Sequence, residues 1–376
     1  MSGALAAFLI LAGTILYLAV YPLLLRLRRR RPIEKKFTPR SVDVVLAVRN
    51  GEQWLEKKLE NLAALDYPKE RLRVIVVSDG STDGTGEIAR AWQDRGVVLI
   101  ARPGEGKSAA LNAGIAAAEA EILFFTDVRQ RLASGSLRQL VACFHDPAVG
   151  VVSGELVIAD GESAEESSVG LYWKYEKWIR KRLSEIDSFF GATGCIYAMR
   201  RELAPKIPKG VLNDDMFLPL AAFFRGFRLI LEPAAKAFDV PTSLEVEFRR
   251  KVRTQAGVYQ LLYYYPQLLG PGNRQWLDFV SYKFARLLLP WLLAAIFAIS
   301  FFLPGLWRAV LVPQIAFYGL AMLDPVLPER WALKRLTAPL RAFLTLMLAA
   351  ACAIAVVVIP ADRLWQPTPA RKGSPV

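Results

Sequence analysis

The stretch RVIVVSDGSTDGTGEIAR, Arg73 to Arg90, decides the fold. It opens with a short apolar run rich in β-branched residues, which reads as a strand covered on both faces. Small polar residues follow from Ser78 to Thr85, and then a helical pattern opens. Strand, polar turn and helix in that order are the repeating unit of a parallel α/β sheet. Working outward, the pattern predicts strands at Val42–Val48, Val74–Val77, Val97–Ile100, Ile122–Thr126 and Val149–Val157. Helices are expected at Trp54–Leu65, Gly86–Arg95, Lys107–Ala118 and Leu137–Phe144. The expectation is a Rossmann-like, mainly parallel sheet over residues 38–260. Ligands of such sheets bind beyond the carboxyl ends of the strands.

Those ends are polar in a particular way. Asp79 stands where a strand leaves the sheet and could accept a nucleobase N–H, whereas Asp83 is equally well a cap or turn residue. EILFFTDVRQ ends a second apolar strand in Asp127, and a carboxylate there is costly unless a cleft exposes it or a partner neutralises it. A divalent cation carrying a diphosphate would account for it. RPGEGKSAALNAG places Lys107 between a glycine turn and a helix start, suited to a phosphate or nucleotide edge; a plain surface lysine is the alternative.

The chain also carries membrane-length apolar runs. Hydrophobic residues make up 53% of its 376 positions. Ala4 to Leu25 lacks any charge, and at about 1.5 Å per residue it crosses a hydrocarbon core of roughly 30 Å. The basic run RLRRRR follows it where a signal peptide would show a cleavage site, so a retained helix over 1–28 is expected. Leu287–Leu303, Ala309–Leu323 and Ala342–Pro360 supply three more candidates over 286–360, the middle one short enough to be re-entrant. An interfacial linker is expected over 261–285 and a tail over 361–376. Arg26, Arg28 to Arg31, Lys35 and Lys36 mark the far end of the first helix as cytoplasmic. Arg330, Lys334, Arg335 and Arg341 then fall on the same side, and the 304–308 loop with Arg308 falls outside.

The net charge of +13 accordingly suits anionic headgroups more than nucleic acid, for which no reader motif is present. Cys143, Cys195 and Cys352 have no metal spacing, and His145 is the lone histidine, so poly-His metal and Ser-His-Asp mechanisms are set aside.

Taken together, VVLAVRNGE (44–52), VVSDGSTDGT (76–85), GKSAALNAG (106–114), FFTDVRQ (124–130), FFGATGCIYAMRREL (189–203) and LNDDMFLPL (212–220) resemble the ordered motifs of the family 2 inverting glycosyltransferases. The membrane subgroup of cellulose, chitin, hyaluronan and poly-N-acetylglucosamine synthases is the most similar. The resemblance implies a GT-A fold, a nucleotide-sugar donor such as a UDP-sugar, a lipid or glycan acceptor, and Mg2+ or Mn2+. It implies an inner-membrane enzyme with a cytoplasmic catalytic domain. Residue by residue, Glu52 and Asp79 would hold the nucleobase and ribose side, and Lys107 would lie near the nucleotide. Asp127 would bind the metal, and Gly191, Thr193 and Gly194 would face the acceptor. Asp215 would be the catalytic base, with Asp214 as its rival or a helix cap.

Two positions depart from the pattern. Asp127-Val128-Arg129 lacks the second carboxylate of the metal motif, so Arg129 could neutralise diphosphate instead. Arg250-Lys251-Val252-Arg253-Thr254 keeps the cations of the processive enzymes' Gln-x-x-Arg-Trp motif, Arg253 in particular, but neither Gln nor Trp. That favours limited addition over long-chain synthesis. A catalytically silent scaffold or transport component and a nucleotidyltransferase are the competing classes. The run of acidic residues argues against the first, and the membrane helices argue against the second.

Overall fold

The structure is a computed structural model that describes residues 3–158, 164–239, 244–328 and 330–359; the tail expected over 361–376 lies outside them. The chain divides into two compact units. One gathers Arg29–Ala159 with Arg180–Val240, and the other gathers Met1–Arg28, Asp160–Ile179 and Pro241–Pro369.

The first unit is built on one eight-stranded sheet. In chain order its strands are β1 (Val42–Val48), β2 (Leu72–Asp79), β3 (Val97–Arg102), β4 (Ile122–Phe125), β5 (Arg131–Leu132), β6 (Val149–Ile158), β7 (Tyr197–Arg200) and β8 (Arg228–Asp239), arranged β3-β2-β1-β4-β7-β6-β8-β5. The first four run parallel to one another, β7 is antiparallel to β4 and β6, β8 parallels β6, and β5 is antiparallel to β8. The sequence pattern anticipates β1 to β4 and β6. It does not anticipate β5, β7 and β8, which are short or alternate between buried and exposed positions. Helices α2 (Glu52–Ala63), α3 (Thr85–Ala91), α4 (Lys107–Ala117), α5 (Ser136–Ala142) and α7 (Asp214–Phe224) accompany the sheet, with α6 (Ala164–Ile186) between β6 and β7. Val44, Leu46, Val76, Ile122 and Phe124 are buried in the core beside Leu55, Leu59 and Leu62 of α2.

A buried carboxylate sits early on β1, among apolar neighbours. Asp43 on β1 is 2% exposed. Arg73, its register partner on β2, grips it with Nε on Oδ1 and Nη2 on Oδ2, both at 2.8 Å. The amides of Glu119 and Ala120 donate to Oδ2 at 2.6 and 2.9 Å. This carboxylate fixes the turn that feeds β4, and so sets where β4 ends.

The segment after the first helix is bound to this unit. Lys35 pairs with the buried Glu232, while Arg30 and Arg31 face Glu185 and Asp187 at 3.4 and 3.9 Å. Arg228 donates to the Arg31 carbonyl at 2.9 Å. Part of the basic run thus serves protein carboxylates rather than lipid headgroups.

The second unit holds α1 (Gly3–Leu27), α8 (Leu244–Tyr264), α9 (Trp276–Ser300), α10 (Gly305–Val326) and α11 (Lys334–Val357). Of these, α1, α9, α10 and α11 have 25, 25, 22 and 24 residues and are apolar enough to cross a membrane. The middle C-terminal candidate is therefore long enough to span. The expected boundary at 285/286 falls inside α9, which carries a π-helical turn at Val280–Phe284. Asp278 on α9 is 1% exposed and pairs with Arg28, with the Tyr21 hydroxyl donating to it at 2.9 Å. Asp324 likewise receives Thr337 at 2.7 Å and Lys334 and Arg341 at 3.3 Å. Each carboxylate ties its helix to basic residues elsewhere in the unit.

Burial alone would raise the Asp43 pKa, but Arg73 and the two amides outweigh it and hold the carboxyl below the usual carboxylate range. Removing one partner of a buried pair costs about 3–5 kcal/mol, so Asp43→Asn should lower the melting temperature by roughly 6 °C or more. A depressed folded-state pKa stabilises above the ordinary carboxylate range and is lost as pH falls below it. The gap between wild type and Asp43→Asn, followed by melting the full chain in detergent, should therefore be full at pH 7 and narrow below about pH 4.

Candidate active site

Because β4 is apolar along its whole length, its first polar side chains come at the exit, Thr126 and Asp127. Thr126 is buried, but the Asp127 side chain is 42% exposed. Lys107 opens α4 just after Gly106, whose φ of +95° a glycine adopts without strain. A cation in the first turn opposes the helix dipole. Here two carboxylates compensate: Lys107 Nζ lies 3.5 Å from Asp127 Oδ1 and 3.3 Å from Asp214 Oδ1.

The loop that delivers Lys107 is held by Asp79. Its Oδ1 accepts the Glu105 amide at 2.9 Å and its Oδ2 the Gly106 amide at 2.8 Å. Expected to meet a nucleobase, Asp79 is 4% exposed and accepts at each oxygen a bond from its own chain. Glu52 and Asp83 tie the exits of β1 and β2 together. Glu52 Oε2 accepts the Gly84 amide at 3.0 Å, and Asp83 Oδ2 accepts the Glu52 amide at 3.1 Å. Asp83 also accepts the Thr85 amide at 3.1 Å, which makes it a turn residue.

Asp214 and Asp215 form the first turn of α7, where negative charge is favoured. The cap position belongs to Asn213, so Asp214 is not the helix cap. Asp214 is buried and paired with Lys107, whereas Asp215 is half-buried. The segment carrying Gly191, Thr193 and Gly194 folds onto Asp215. The Ala192 amide donates to the Asp215 carbonyl at 2.7 Å, and the Thr193 amide donates to Ser153 Oγ at 2.8 Å. Arg180 donates to Thr193 Oγ1 at 2.9 Å. Gly191 has φ +117°, and a Cβ there would strike the Met216 side chain. A Cβ at Gly194 would sit 3.0 Å from Asp215 Oδ2, so this glycine keeps the carboxylate uncovered.

Arg129 Nη2 is 2.6 Å from Asp239 Oδ2, and Gln130 donates to the same oxygen at 2.8 Å. Arg129 therefore braces β8 instead of standing open to a diphosphate. Arg250 and Arg253 belong to α8, in the other compact unit.

Two buried polar residues near the site escape the sequence reading. Tyr197 is fully buried, stacked on Phe125 at 4.7 Å, and its hydroxyl has no hydrogen-bond partner. Burial pushes its pKa well up, and Asp214, Asp215 and Asp127 add to the rise. All three carboxylates therefore converge on one phenol. Lys58 on α2 is 3% exposed; its position among Leu55, Leu59 and Leu62 on one helix face is the signal that marks it.

Among the described residues, no three His, Cys, Asp or Glu side chains form a metal cage. One exposed carboxylate beside a movable ammonium instead fits a hard cation that arrives with phosphate oxygens, the usual manner of Mg2+-type sites.

Comparison with known proteins agrees with this geometry. The sequence profile of glycosyl transferase family 2 matches residues 43–207. A probable glycosyltransferase, YdaM of Bacillus subtilis, is 25% identical over 235 residues, which cover 57% of this chain and 54% of that one. A beta-monoglucosyldiacylglycerol synthase of Nostoc is 24% identical over 269 residues, covering 66% and 56%. The chain thus spans about half the length of the curated relatives it matches. Among solved structures, a mannosyltransferase from Pyrobaculum calidifontis in complex with GDP-Man and Mn2+ superposes with a TM-score of 0.71 at 23% identity, covering 94% of this chain and 98% of that one. The fold is GT-A. Residues 43–207 thus carry a glycosyl transferase family 2 domain.

Proposed function

We propose that the chain is a membrane-bound inverting glycosyltransferase that moves a sugar from a nucleotide donor, a UDP-sugar in the first instance, to a hydroxyl of a lipid or lipid-linked glycan. The observation that carries this reading is the convergence of Asp127, Lys107, Asp214 and Asp215 beyond the sheet, with the 191–194 segment bonded to the backbone of Asp215.

The neighbouring carboxylates divide the work by their surroundings. Asp214 is neutralised by Lys107 and buried, which makes it a poor base. Asp215, half-buried beside Gly194, in this reading takes the proton of the acceptor hydroxyl as that oxygen attacks the anomeric carbon. The nucleoside diphosphate leaves from the opposite face, and configuration inverts. Lys107 is placed to follow the charge that develops on the leaving group. Asp127 would hold Mg2+ or Mn2+, which when bound neutralises diphosphate charge. Glu52 and Asp79 shape the pocket wall on the nucleoside side.

A lipid acceptor is supported by the four membrane-length helices and by the beta-monoglucosyldiacylglycerol synthase relative. Val252, Arg253 and Thr254 offer no aromatic platform for a growing chain, which supports limited addition. The membrane in this reading is a bacterial inner membrane, with the catalytic domain cytoplasmic.

Asp215→Asn should leave donor affinity nearly unchanged and cut turnover by at least about 10², the lower end of what a positioned base contributes. Asp214→Asn should cost less. Release of nucleoside diphosphate from a panel of nucleotide sugars by the purified chain measures both; near-normal turnover of Asp215→Asn with a dead Asp214→Asn reverses the roles. Asp127→Ala should fold normally yet lose the Mn2+-dependent part of nucleoside diphosphate binding in calorimetry. For topology, reporter fusions at Ser2 and near Lys209 should respond as outside and inside respectively. A reporter near Lys209 on the outer side would remove access to cytoplasmic nucleotide sugars and with it the donor assignment.

A further inference from the structure

Lys58 offers an ammonium where the helix pattern calls for an apolar residue. It shares the face of α2 that buries Leu55, Leu59 and Leu62. A charge in such a place costs several kcal/mol unless its donors are used. Lys58 Nζ donates to Thr126 Oγ1 and to the Gln130 carbonyl, each at 2.8 Å. The Thr126 hydroxyl passes the bond on to the Cys195 carbonyl at 2.8 Å. These two contacts bracket Asp127-Val128-Arg129, so one side chain grips both ends of the loop that carries Asp127. One turn further along α2, Asn61 holds the next strand instead, exchanging bonds with the Leu132 amide and carbonyl at 2.8 and 2.9 Å. Burial pulls the Lys58 pKa down to about 8, and the charge of Asp127 is among those that oppose the drop. The two groups are thus coupled electrostatically.

We propose that Lys58 is a positioning residue for the donor: by pinning Thr126 and Gln130 it fixes the direction in which Asp127 presents its oxygens to a divalent cation and diphosphate. The proposal rests on the reading of Asp127 as the metal–diphosphate carboxylate. Lys58 sits beneath the loop, where no acceptor or donor need touch it. Its effect passes through Asp127. Arg129 is engaged by Asp239 at the far end of the same loop, so the loop is braced by a cation on each side.

The test titrates the full-length chain in detergent with UDP and with GDP, with and without Mn2+, by calorimetry. Lys58→Met and Thr126→Val should lose about 10–100-fold in the Mn2+-dependent part of the affinity, the usual effect of removing a group behind a metal ligand. Thr126→Ser keeps the hydroxyl and should bind like wild type. Asn61→Ala should lower the melting temperature but leave the affinity alone. In steady state the Lys58 loss should appear chiefly in the donor KM. Wild-type affinity in a folded Lys58→Met overturns the proposal, as does an equal loss in Asn61→Ala. Should Lys58→Met fail to fold, equal affinities of the Thr126→Val and Thr126→Ser variants overturn it. Absence of Mn2+-dependent binding by wild type itself would take down the donor reading along with the clamp, whereas normal wild-type binding undisturbed in the variants removes the clamp alone.

Discussion

A strand buried on both faces has no room for an uncompensated polar side chain along its length. That constraint arranges this protein. In β1, β2 and β4 the buried Asp43 is engaged by Arg73 and two amides. Other polar groups come at the strand exits, Asp79 at the end of β2 and Thr126 and Asp127 just past β4. Antiparallel β7 then brings the 191–194 segment beside the exit of β4, and α7 brings two further carboxylates. The site follows from where apolar packing has to stop.

Electrostatics then assigns the parts. Lys107 stands between Asp127 and Asp214, at 3.5 and 3.3 Å, and screens two negative charges that would otherwise repel each other. The same ammonium is the natural partner for an incoming diphosphate. In the proposed mechanism its movement toward that group would leave Asp127 to the cation, while Asp215, beside Gly194, would address the acceptor.

Long apolar runs and strand-ending carboxylates are legible in the sequence because each is a local pattern. Asp127 and Lys107 were singled out that way and the Asp214-Asp215 pair by the motif resemblance; Lys107 stands between Asp127 and Asp214, with Asp215 next along the first turn of α7. The edges of the sheet were not legible: β5 is two residues long, and β8 mixes buried and exposed positions through a bulge. Arg129 read as a free cation because its partner, Asp239, lies 110 residues away. Nothing in RVIVVSDGS tells that the amides of Glu105 and Gly106 donate to Asp79. Lys58 was overlooked although its spacing from Leu55, Leu59 and Leu62 marked a buried position.

The central claim is a single displacement assisted by one carboxylate, with no second nucleophile poised on the other face of the sugar. Its most direct measurement is the anomeric configuration of the first product, read by proton NMR after transfer from an α-linked nucleotide sugar by the purified chain. A β-linked product, formed by wild type and lost with Asp215→Asn, is the predicted result. An α-linked product would require two displacements or a front-face mechanism, and would contradict the role given to Asp215.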